Sequence, residues 1–237
     1  MPTKCEIGKP SEGNDQIGGV PVIHYLDFLS RGRGQAVRLL FIDSGIAFTD
    51  VRYSSDEIST VKDESFLPPP NGLNPTGNVP ILQLNGKTYT QSYPILRHFS
   101  RVLGNKYDGE DEDEVYFTDR ICDIVIDWRT RFVDAFVSPN KDETYPEHCK
   151  TARVNYLRAL ERHLSENQTA KGGSYVIGKK FTYADIVLFQ ILHDEELYRK
   201  EGASQELKPY SRLAQLAEAV INRPNIKAFF NSSEYKG

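Results

Sequence analysis

The pattern of apolar and polar positions changes near the middle of the chain. In the first half, short apolar runs between turn residues predict strands at residues 20–26, 48–53, 81–84 and 87–90, with helices after the first strand and after the last. In the second half, apolar residues recur three or four positions apart, as at Ile121, Val125, Trp128 and Phe132. This spacing is typical of amphipathic helices. The pattern therefore predicts a mixed α/β half followed by an all-helical half.

The order of the elements in the first half restricts the topology of the sheet. A strand–helix–strand unit requires parallel pairing, and Asn85-Gly86 predicts a hairpin that adds an antiparallel edge. This order is that of the thioredoxin-like fold, and it covers roughly residues 20–104.

The predicted architecture is therefore α+β: an N-terminal thioredoxin-like domain followed by an all-α helical-bundle domain. Residues 1–19 are rich in glycine and charge, and we interpret them as a flexible tail. An acidic linker over residues 105–113 precedes the helical domain, which is predicted to span residues 114–237.

The segment around the predicted hairpin carries the first indication of chemistry. Pro80 has no N–H and forces Val79 into an extended conformation, and a cis bond between them would leave the main chain of Val79 facing outward. A short peptide can pair with such an edge as an additional strand. Gln91 and Ser92 begin the next helix, where free N–H groups attract a carboxylate. These features favour a site for a short acidic peptide, although a hairpin leading into a capped helix explains them equally well.

The same residues resemble the glutathione-binding half of the glutathione S-transferases. Asn78-Val79-Pro80 is similar to the family's Val-Pro strand start, and the Gln-Ser-Tyr-Pro-Ile run from position 91 is similar to its Gln-Ser-x-x-Ile helix start. The resemblance implies that Val79, next to Pro80, pairs with the cysteinyl part of glutathione. It also implies that Gln91 and Ser92 hold the γ-glutamyl carboxylate, and that Asn78 reaches the peptide.

Tyr25 is the catalytic residue that the resemblance implies. It precedes an Arg-Gly-Arg run at positions 31–33, a context similar to the Tyr-Phe-x-x-Arg-Gly-Arg signature of the tyrosine-type members (alpha, mu, pi and sigma). A phenol hydroxyl that donates to the sulfur stabilises the thiolate, and lowering the thiol pKa by about 2 units corresponds to roughly 2.7 kcal/mol. Arg33 would add positive potential. Without this context, a tyrosine in a strand is more often an ordinary packed residue.

The loop after Tyr25 is about two residues longer than the family pattern, because it contains Phe28, Leu29 and Ser30. Serine-type transferases use a serine just before the first helix, so Ser30 is the alternative catalytic residue. No cysteine lies in this loop, which excludes the cysteine-type members. The resemblance further implies an apolar second-substrate cleft between the domains, lined by this loop and by the helix over residues 116–136.

Two further positions bear on the site. Asp123 matches the helix acid that contacts the γ-glutamyl amine from the neighbouring subunit, although a solvated helix acid explains it equally well. The family's Trp and Lys before the hairpin have no counterpart in residues 62–74, which leaves the partner of the glycyl carboxylate open. Elsewhere, Thr182 and Asp185 form a Thr-x-x-Asp capping box before a helix that is apolar on nearly all faces, which predicts a buried central helix.

Composition excludes several other classes of protein. The net charge of −4 provides no basic field for nucleic acid, and no apolar run is long enough to span a bilayer. The N-terminus lacks the features of a secretory signal. Three cysteines and five histidines show neither disulfide nor metal-ligand spacing, and fit a reduced compartment. We therefore expect no metal, no nucleic-acid partner and no membrane contact.

The sequence therefore predicts a cytoplasmic, homodimeric detoxification enzyme. By resemblance, it conjugates the thiolate of its co-substrate glutathione to small hydrophobic electrophiles. One alternative is a glutathione-dependent isomerase or peroxidase of the same fold. The other is a non-catalytic, glutathione-binding regulatory protein.

Overall fold

The structure, a computed structural model, describes residues 1–59 and 77–236. The chain divides into two units, one formed by Met1–Lys106 with Arg223–Gly237 and the other by Tyr107–Asn222. The first unit contains a mixed sheet with helices, and the second consists mainly of helices. The predicted fold class, a thioredoxin-like region with a helical region, is confirmed.

The sheet of the first unit has five strands among the described residues, in the order β1-β3-β2-β4-β5. Strands β2 and β3 are parallel, and the other neighbouring pairs are antiparallel. The strand–helix–strand unit and the antiparallel hairpin are therefore as predicted. The strands are β1 (Thr3–Ile7), β2 (Val22–Leu26), β3 (Phe48–Tyr53), β4 (Ile81–Leu84) and β5 (Lys87–Thr90).

Helices cover this sheet and complete its core. The helix after β2 packs against β2 and against two other helices of the unit, and nine of its residues are buried, including Leu39, Leu40 and Phe41. It ends at Gly45, whose φ of 73° is the left-handed conformation that closes a helix. The helices are α1 (Glu12–Ile17), α2 (Gly32–Ser44) and α3 (Ser92–Val102).

The hairpin between β4 and β5 has the predicted turn. Asn85 and Gly86 have φ values of 51° and 73°, as a two-residue turn with two left-handed positions requires. At the other end of β4, the bond between Val79 and Pro80 is cis. Because β4 and β5 form an antiparallel hairpin, the start of β4 and the end of β5 lie at the same end of the sheet.

The prediction of a flexible N-terminal tail is wrong. Residues Thr3–Ile7 form β1, which pairs antiparallel with β3 and becomes the edge of the sheet. Ser11 and Asn14 form a capping box at the start of α1, and Gly18 closes this helix in the left-handed conformation. The side chain of Asn14, only 3% exposed, also bonds to both the N–H and the C=O of Ala47.

The second unit is a set of packed helices. Helix α4 contacts α5, α6 and α7, and α7 is buried along its entire length, as its apolar sequence predicts. A two-stranded ribbon of β6 and β7 follows α7. The elements are α4 (Glu112–Phe136), α5 (Lys141–Lys150), α6 (Ala152–Glu166), α7 (Tyr183–Asp194), β6 (Tyr198–Arg199), β7 (Gly202–Ala203) and α8 (Ser211–Ile221).

The predicted boundaries of the linker and of the helical domain need correction. Tyr107, Asp108 and Gly109 are buried rather than exposed in a linker, and Asp111 caps α4 by accepting the N–H of Glu114 at 2.9 Å. Acidic residues in the first turn favour this helix end electrostatically. The acidic run is thus mostly the start of a helix.

The end of the chain belongs to the first unit and not to the helical domain. Helix α9 (Pro224–Phe230) packs on α2. Arg223, just before α9, donates two hydrogen bonds to the carboxylate of Asp43, at 2.5 and 2.9 Å. Because Asp43 is only 7% exposed, this ion pair fixes α9 firmly on α2.

The predicted capping box of α7 is present and yields a first testable prediction. Both the N–H and the hydroxyl of Thr182 donate to one carboxylate oxygen of Asp185, and the N–H of Val176 donates to the other. We expect Thr182→Ala to lower the free energy of unfolding by about 1 kcal/mol, because only the hydroxyl is lost. Urea unfolding measures this, with Thr182→Ser as the control that keeps the hydroxyl. Equal stability of the alanine and serine variants would contradict the prediction.

Candidate active site

The register of the sheet brings several predicted site residues to one end of it. The ladder of β2 and β4 ends at the pair His24–Ile81, so that Tyr25 lies level with Pro80. Ile81 is also the last residue of β4 to pair with β5, which places Gln91 level with Pro80 on the other side. The strand that carries the predicted catalytic residue and the segment predicted to bind glutathione therefore meet here.

The ring of Tyr25 lies against two glycines at the start of α2. A Cβ atom at Gly34 would lie 2.5 Å from Cγ of Tyr25, and one at Gly32 would lie 2.6 Å from the hydroxyl oxygen. No other residue type fits at these distances, so the glycines determine how closely the helix approaches the ring. Sequence reasoning did not assign them a role, although their spacing on either side of Arg33 is a recognisable signal.

The hydroxyl of Tyr25 accepts a hydrogen bond from the main-chain N–H of Arg33, at 3.0 Å. Among the described residues this is its only hydrogen bond, so none of them accepts its own proton, which a ligand could use. Tyr25 as a whole is 8% exposed. We predicted that Arg33 acts through its side chain, whereas the structure brings its main chain to the hydroxyl.

A cluster of buried charges lies behind Tyr25. The carboxylate of Asp50 accepts two hydrogen bonds from Arg38, at 2.8 and 3.0 Å, and one from Arg52, at 2.7 Å. All three side chains are at most 3% exposed. The guanidinium of Arg38 lies 5.6 Å from the centre of the Tyr25 ring, within the range of a cation–π contact. Sequence reasoning missed this cluster, although charged residues at positions expected to be buried are a signal of one.

Ser30, the alternative catalytic residue, is occupied by a structural contact. Its N–H donates to the carbonyl of Lys236 at 2.7 Å, and its Oγ accepts the N–H of Lys236 at 2.9 Å. The residue is only 1% exposed. These contacts disfavour Ser30 as the group that activates a thiol.

The predicted glutathione-binding residues surround the same end of the sheet. Asn78 is exposed and Val79 partly buried, two residues before the first residue of the β4 ladder. Gln91 is exposed, and its φ of 68° and ψ of 112° turn the chain sharply from β5 into α3. Ser92 is the first residue of α3, after the N-cap Gln91, and it is only 3% exposed.

The remaining predicted positions lie elsewhere. Asp123 is an exposed residue of α4, in the helical unit. Residues 62–74, which left the partner of the glycyl carboxylate open, fall outside the described residues. His24 is next to Tyr25 but points to the opposite face of the strand, where its ring bonds to Tyr53 and Gln83 and burial lowers its pKa.

The described residues contain neither a cluster of metal-ligating side chains nor a helix that could span a membrane. Within residues 1–59 and 77–236, no group of three or more His, Cys, Asp or Glu side chains is arranged to hold a metal ion. No described helix combines the length and the apolar character that crossing a membrane requires.

Comparison with known proteins gives concordant results for the fold and the family. The family described as "Glutathione S-transferase, C-terminal domain" matches residues 126–233. Two solved structures share the fold at 23% identity. The pi-class glutathione S-transferase of Onchocerca volvulus has a TM-score of 0.72, with 88% of this chain and 91% of that chain covered. The prostaglandin synthase D of Nilaparvata lugens has a TM-score of 0.73, with 90% and 98% covered.

A curated relative establishes the relationship at the level of sequence. "Glutathione S-transferase P 10" of Caenorhabditis elegans is 32% identical over 212 residues, which cover 89% of this chain and 90% of the relative. The match is therefore long enough to extend over both the sheet unit and the helical unit. This chain belongs to the glutathione S-transferase family.

Proposed function

We propose that this chain is a tyrosine-type glutathione transferase that joins the sulfur of glutathione to hydrophobic electrophiles. The single observation that carries the proposal is the hydroxyl of Tyr25. It accepts a hydrogen bond from the N–H of Arg33, and its own proton has no acceptor among the described residues. A hydroxyl held in this way is prepared to donate a hydrogen bond to a bound thiolate.

The role of Tyr25 follows from the acidity of the thiol. A free thiol has a pKa of about 8.5, so only a few per cent is ionised at pH 7. The donated hydrogen bond is stronger to the thiolate than to the thiol, and therefore lowers the pKa of bound glutathione. The N–H of Arg33 withdraws charge from the phenol oxygen, which makes its O–H a better donor. The sulfur then attacks the electrophilic carbon, a C–S bond forms, and the leaving group departs with its electron pair.

The binding residues are assigned along the end of the sheet. The main chain of Val79, after Asn78 and before Pro80, pairs with the cysteinyl part of glutathione as an added strand. Gln91 and Ser92 bind the γ-glutamyl carboxylate at the start of α3, where the side chain of the N-cap residue Gln91 makes no capping hydrogen bond and the helix dipole favours an anion. Glutathione is the co-substrate, and the chemistry of these residues requires no metal.

Further features extend the proposal beyond one chain. We assign Asp123 to the γ-glutamyl amine of glutathione bound by a second copy, so that the active form is a homodimer. The cytoplasm, where glutathione is abundant and the three cysteines stay reduced, is the proposed location. An isomerase or peroxidase would use the same thiolate, and no described feature favours either over conjugation.

A direct test combines binding and turnover. The protein is applied to immobilised glutathione, and conjugation of glutathione to 1-chloro-2,4-dinitrobenzene is followed by absorbance. We expect retention on the resin and turnover that saturates with both substrates. Retention without turnover, across several classes of electrophile, would instead support a non-catalytic, glutathione-binding protein. The absence of both would contradict the proposal.

Ser92 offers a specific test of the binding site. We expect Ser92→Ala to raise KM for glutathione about tenfold with little change in kcat, because the hydroxyl binds a charged group in ground state and transition state alike. The matched control is Ser211→Ala, since Ser211 is also the first residue of a helix but contacts Glu161 instead. Initial rates at varied glutathione measure the effect. A change in kcat with constant KM would contradict the assignment.

A further inference from the structure

Strand β1 is an edge of the sheet with one side open. It pairs with β3, and in the described part of the chain no strand pairs with its other side. Within residues 1–59 and 77–236, the main chain of Thr3–Ile7 has hydrogen-bond partners on β3 alone. An edge of this kind is a template on which another strand can add.

The sequence of β1 lacks the features by which edge strands usually avoid such pairing. Its five residues contain neither proline nor glycine. They pair with β3 in continuous register from Thr3–Arg52 to Ile7–Phe48, so that no bulge twists the edge away. The bonds from Asn14 to Ala47 hold the chain after the strand. The edge is therefore ordered and regular along its whole length.

The charged residues of β1 are placed symmetrically about its centre. Cys5 is the middle residue, with Lys4 before it and Glu6 after it, and both charged side chains are exposed on the same face of the strand. The hydroxyl of Thr49 donates to both carboxylate oxygens of Glu6, at 3.0 and 2.9 Å, and fixes this carboxylate on that face. The pattern is self-complementary, because an antiparallel copy centred on Cys5 places each lysine opposite a glutamate.

We propose that β1 is a self-association surface, at which two copies of this chain pair antiparallel about Cys5 and continue the sheet from one copy into the other. Opposite charges directly across an antiparallel pair attract, and like charges repel. A shift of two residues in one direction would place Lys4 opposite Lys4, and in the other direction Glu6 opposite Glu6. The charges therefore select the register centred on Cys5.

This surface is separate from the dimer contact to which Asp123 is assigned. Strand β1 belongs to the sheet unit and Asp123 to the helical unit. A chain that carries both contacts forms assemblies larger than a dimer. Five residues from each copy bury less than the roughly 1,000 Å² of a stable interface, so we expect weak pairing, at tens to hundreds of micromolar. The pairing involves no residue of the proposed active site and does not depend on conjugation.

Sedimentation velocity of the full chain over this range of concentration tests the proposal. We expect the average mass of the intact chain to rise with concentration. Lys4→Glu and Glu6→Lys should each remove the rise, because each places like charges across the contact. Lys200→Glu is the matched control, since Lys200 is exposed between β6 and β7 and the net charge changes by the same amount as in Lys4→Glu. A constant mass for the intact chain, or an equal loss in the control, would overturn the proposal.

An equal mixture of the two single variants gives a sharper test. After Lys4→Glu both charged residues of β1 are acidic, and after Glu6→Lys both are basic, so each strand repels its own copies and attracts the other variant. We expect the rise in mass to return in the mixture, and also in the double substitution, which restores alternating charges. A structural defect within one chain would not be relieved by mixing. Failure of the mixture to recover the rise would therefore contradict the proposal.

Cys5 reports the register of the pairing. The two residues at the centre of an antiparallel pair have Cα atoms about 4.5–5.5 Å apart, a distance that a short bismaleimide spans by adding one thiol at each end. We expect cross-linked pairs of the intact chain, but none after Cys5→Ser and few after Lys4→Glu. Cys149→Ser is the control, because Cys149 is also partly exposed. Cross-linking that requires Cys149 and not Cys5 would place the contact elsewhere and would refute the proposal.

Discussion

Replacing Tyr25 with phenylalanine is expected to lower kcat/KM for conjugation at pH 7 by about 25-fold, while leaving the affinity for glutathione within about twofold. The loss follows from the pKa of the bound thiol. If the phenol lowers this pKa from about 8.5 to about 6.5, its removal reduces the thiolate fraction at pH 7 from about three quarters to about 3%. Affinity is preserved because the peptide part of glutathione is bound by other groups.

The pH dependence separates this explanation from a loss of structure. The thiolate is the reactive form, so the rate rises with pH until the thiol is fully ionised. In the intact chain this rise is expected near pH 6.5, and in Tyr25→Phe near pH 8.5, where the variant regains much of its activity. The measurements are kcat/KM from pH 5.5 to 9 and the ultraviolet absorbance of the bound thiolate.

Tyr53→Phe is a matched control. Tyr53 is also a buried tyrosine, and it pairs with Leu26 on the strand that carries Tyr25. Its hydroxyl lies 2.8 Å from a ring nitrogen of His24, on the face of β2 opposite to the Tyr25 side chain. We expect some loss of stability from this change but an unaltered pH profile. If the dependence of kcat/KM on pH shifted for Tyr53→Phe and not for Tyr25→Phe, this would contradict the proposal that Tyr25 lowers the pKa of the bound thiol.

Short-range signals in the sequence predicted the parts of the fold that depend on local geometry. The hairpin at Asn85 and Gly86 and the capping box at Thr182 and Asp185 are present because each depends on a few neighbouring residues. The parallel pairing of β2 with β3 and the antiparallel hairpin followed from the order of the elements along the chain, because crossover connections allow few alternatives. The position of Tyr25 at the end of β2 follows from that order.

The errors occurred where distant segments decide the structure. Strand β1 is an edge strand with exposed Lys4 and Glu6, so it lacks the apolar character by which we recognised strands. This segment is held in place by pairing with β3 and by the side chain of Asn14. The partner of Asn14, Ala47, lies more than thirty residues further along the chain. No local pattern encodes such a partner.

The same limit explains what was missed at the site. The contact between Ser30 and Lys236 joins residues 206 positions apart, and it changes Ser30 from a catalytic alternative into an anchor for the loop. The role of Arg33 also changed, because the geometry of the turn presents its N–H to Tyr25. In both cases the observed contact depends on main-chain positions that residue identity does not specify.

The buried charges connect the stability of the sheet to the proposed chemistry. Arg38 lies beside the ring of Tyr25, and Arg52 holds the carbonyl of Leu29. Asp50 bonds to both arginines from the centre of the sheet. Through these arginines, one carboxylate thus contacts both the surroundings of Tyr25, the proposed catalytic residue, and the loop that contains Leu29.

Asp50→Asn is therefore expected to lower the free energy of unfolding by about 3–5 kcal/mol, the largest effect of any substitution considered for this chain. Burial already lowers the pKa of Arg38 below its ordinary value, and Asp50 offsets part of that cost. An amide cannot do so, which leaves buried Arg38 without a counterion and Arg52 with only its 3.4 Å contact to Asp27. Urea unfolding measures the change.

Asp27→Asn is the control, because Asp27 is 38% exposed and its contact with Arg52 is longer, at 3.4 Å. We expect this change to cost less than about 1 kcal/mol, as for other exposed ion pairs.

A double substitution, Asp50→Asn with Arg38→Gln, removes the uncompensated charge of Arg38 and should be more stable than the sum of the two single effects predicts. This cycle remains informative if the single variant unfolds, since recovery of folding then reveals the same coupling. Additive effects, or a cost for Asp50→Asn as small as that for Asp27→Asn, would contradict the view that one buried carboxylate neutralises the charges behind Tyr25.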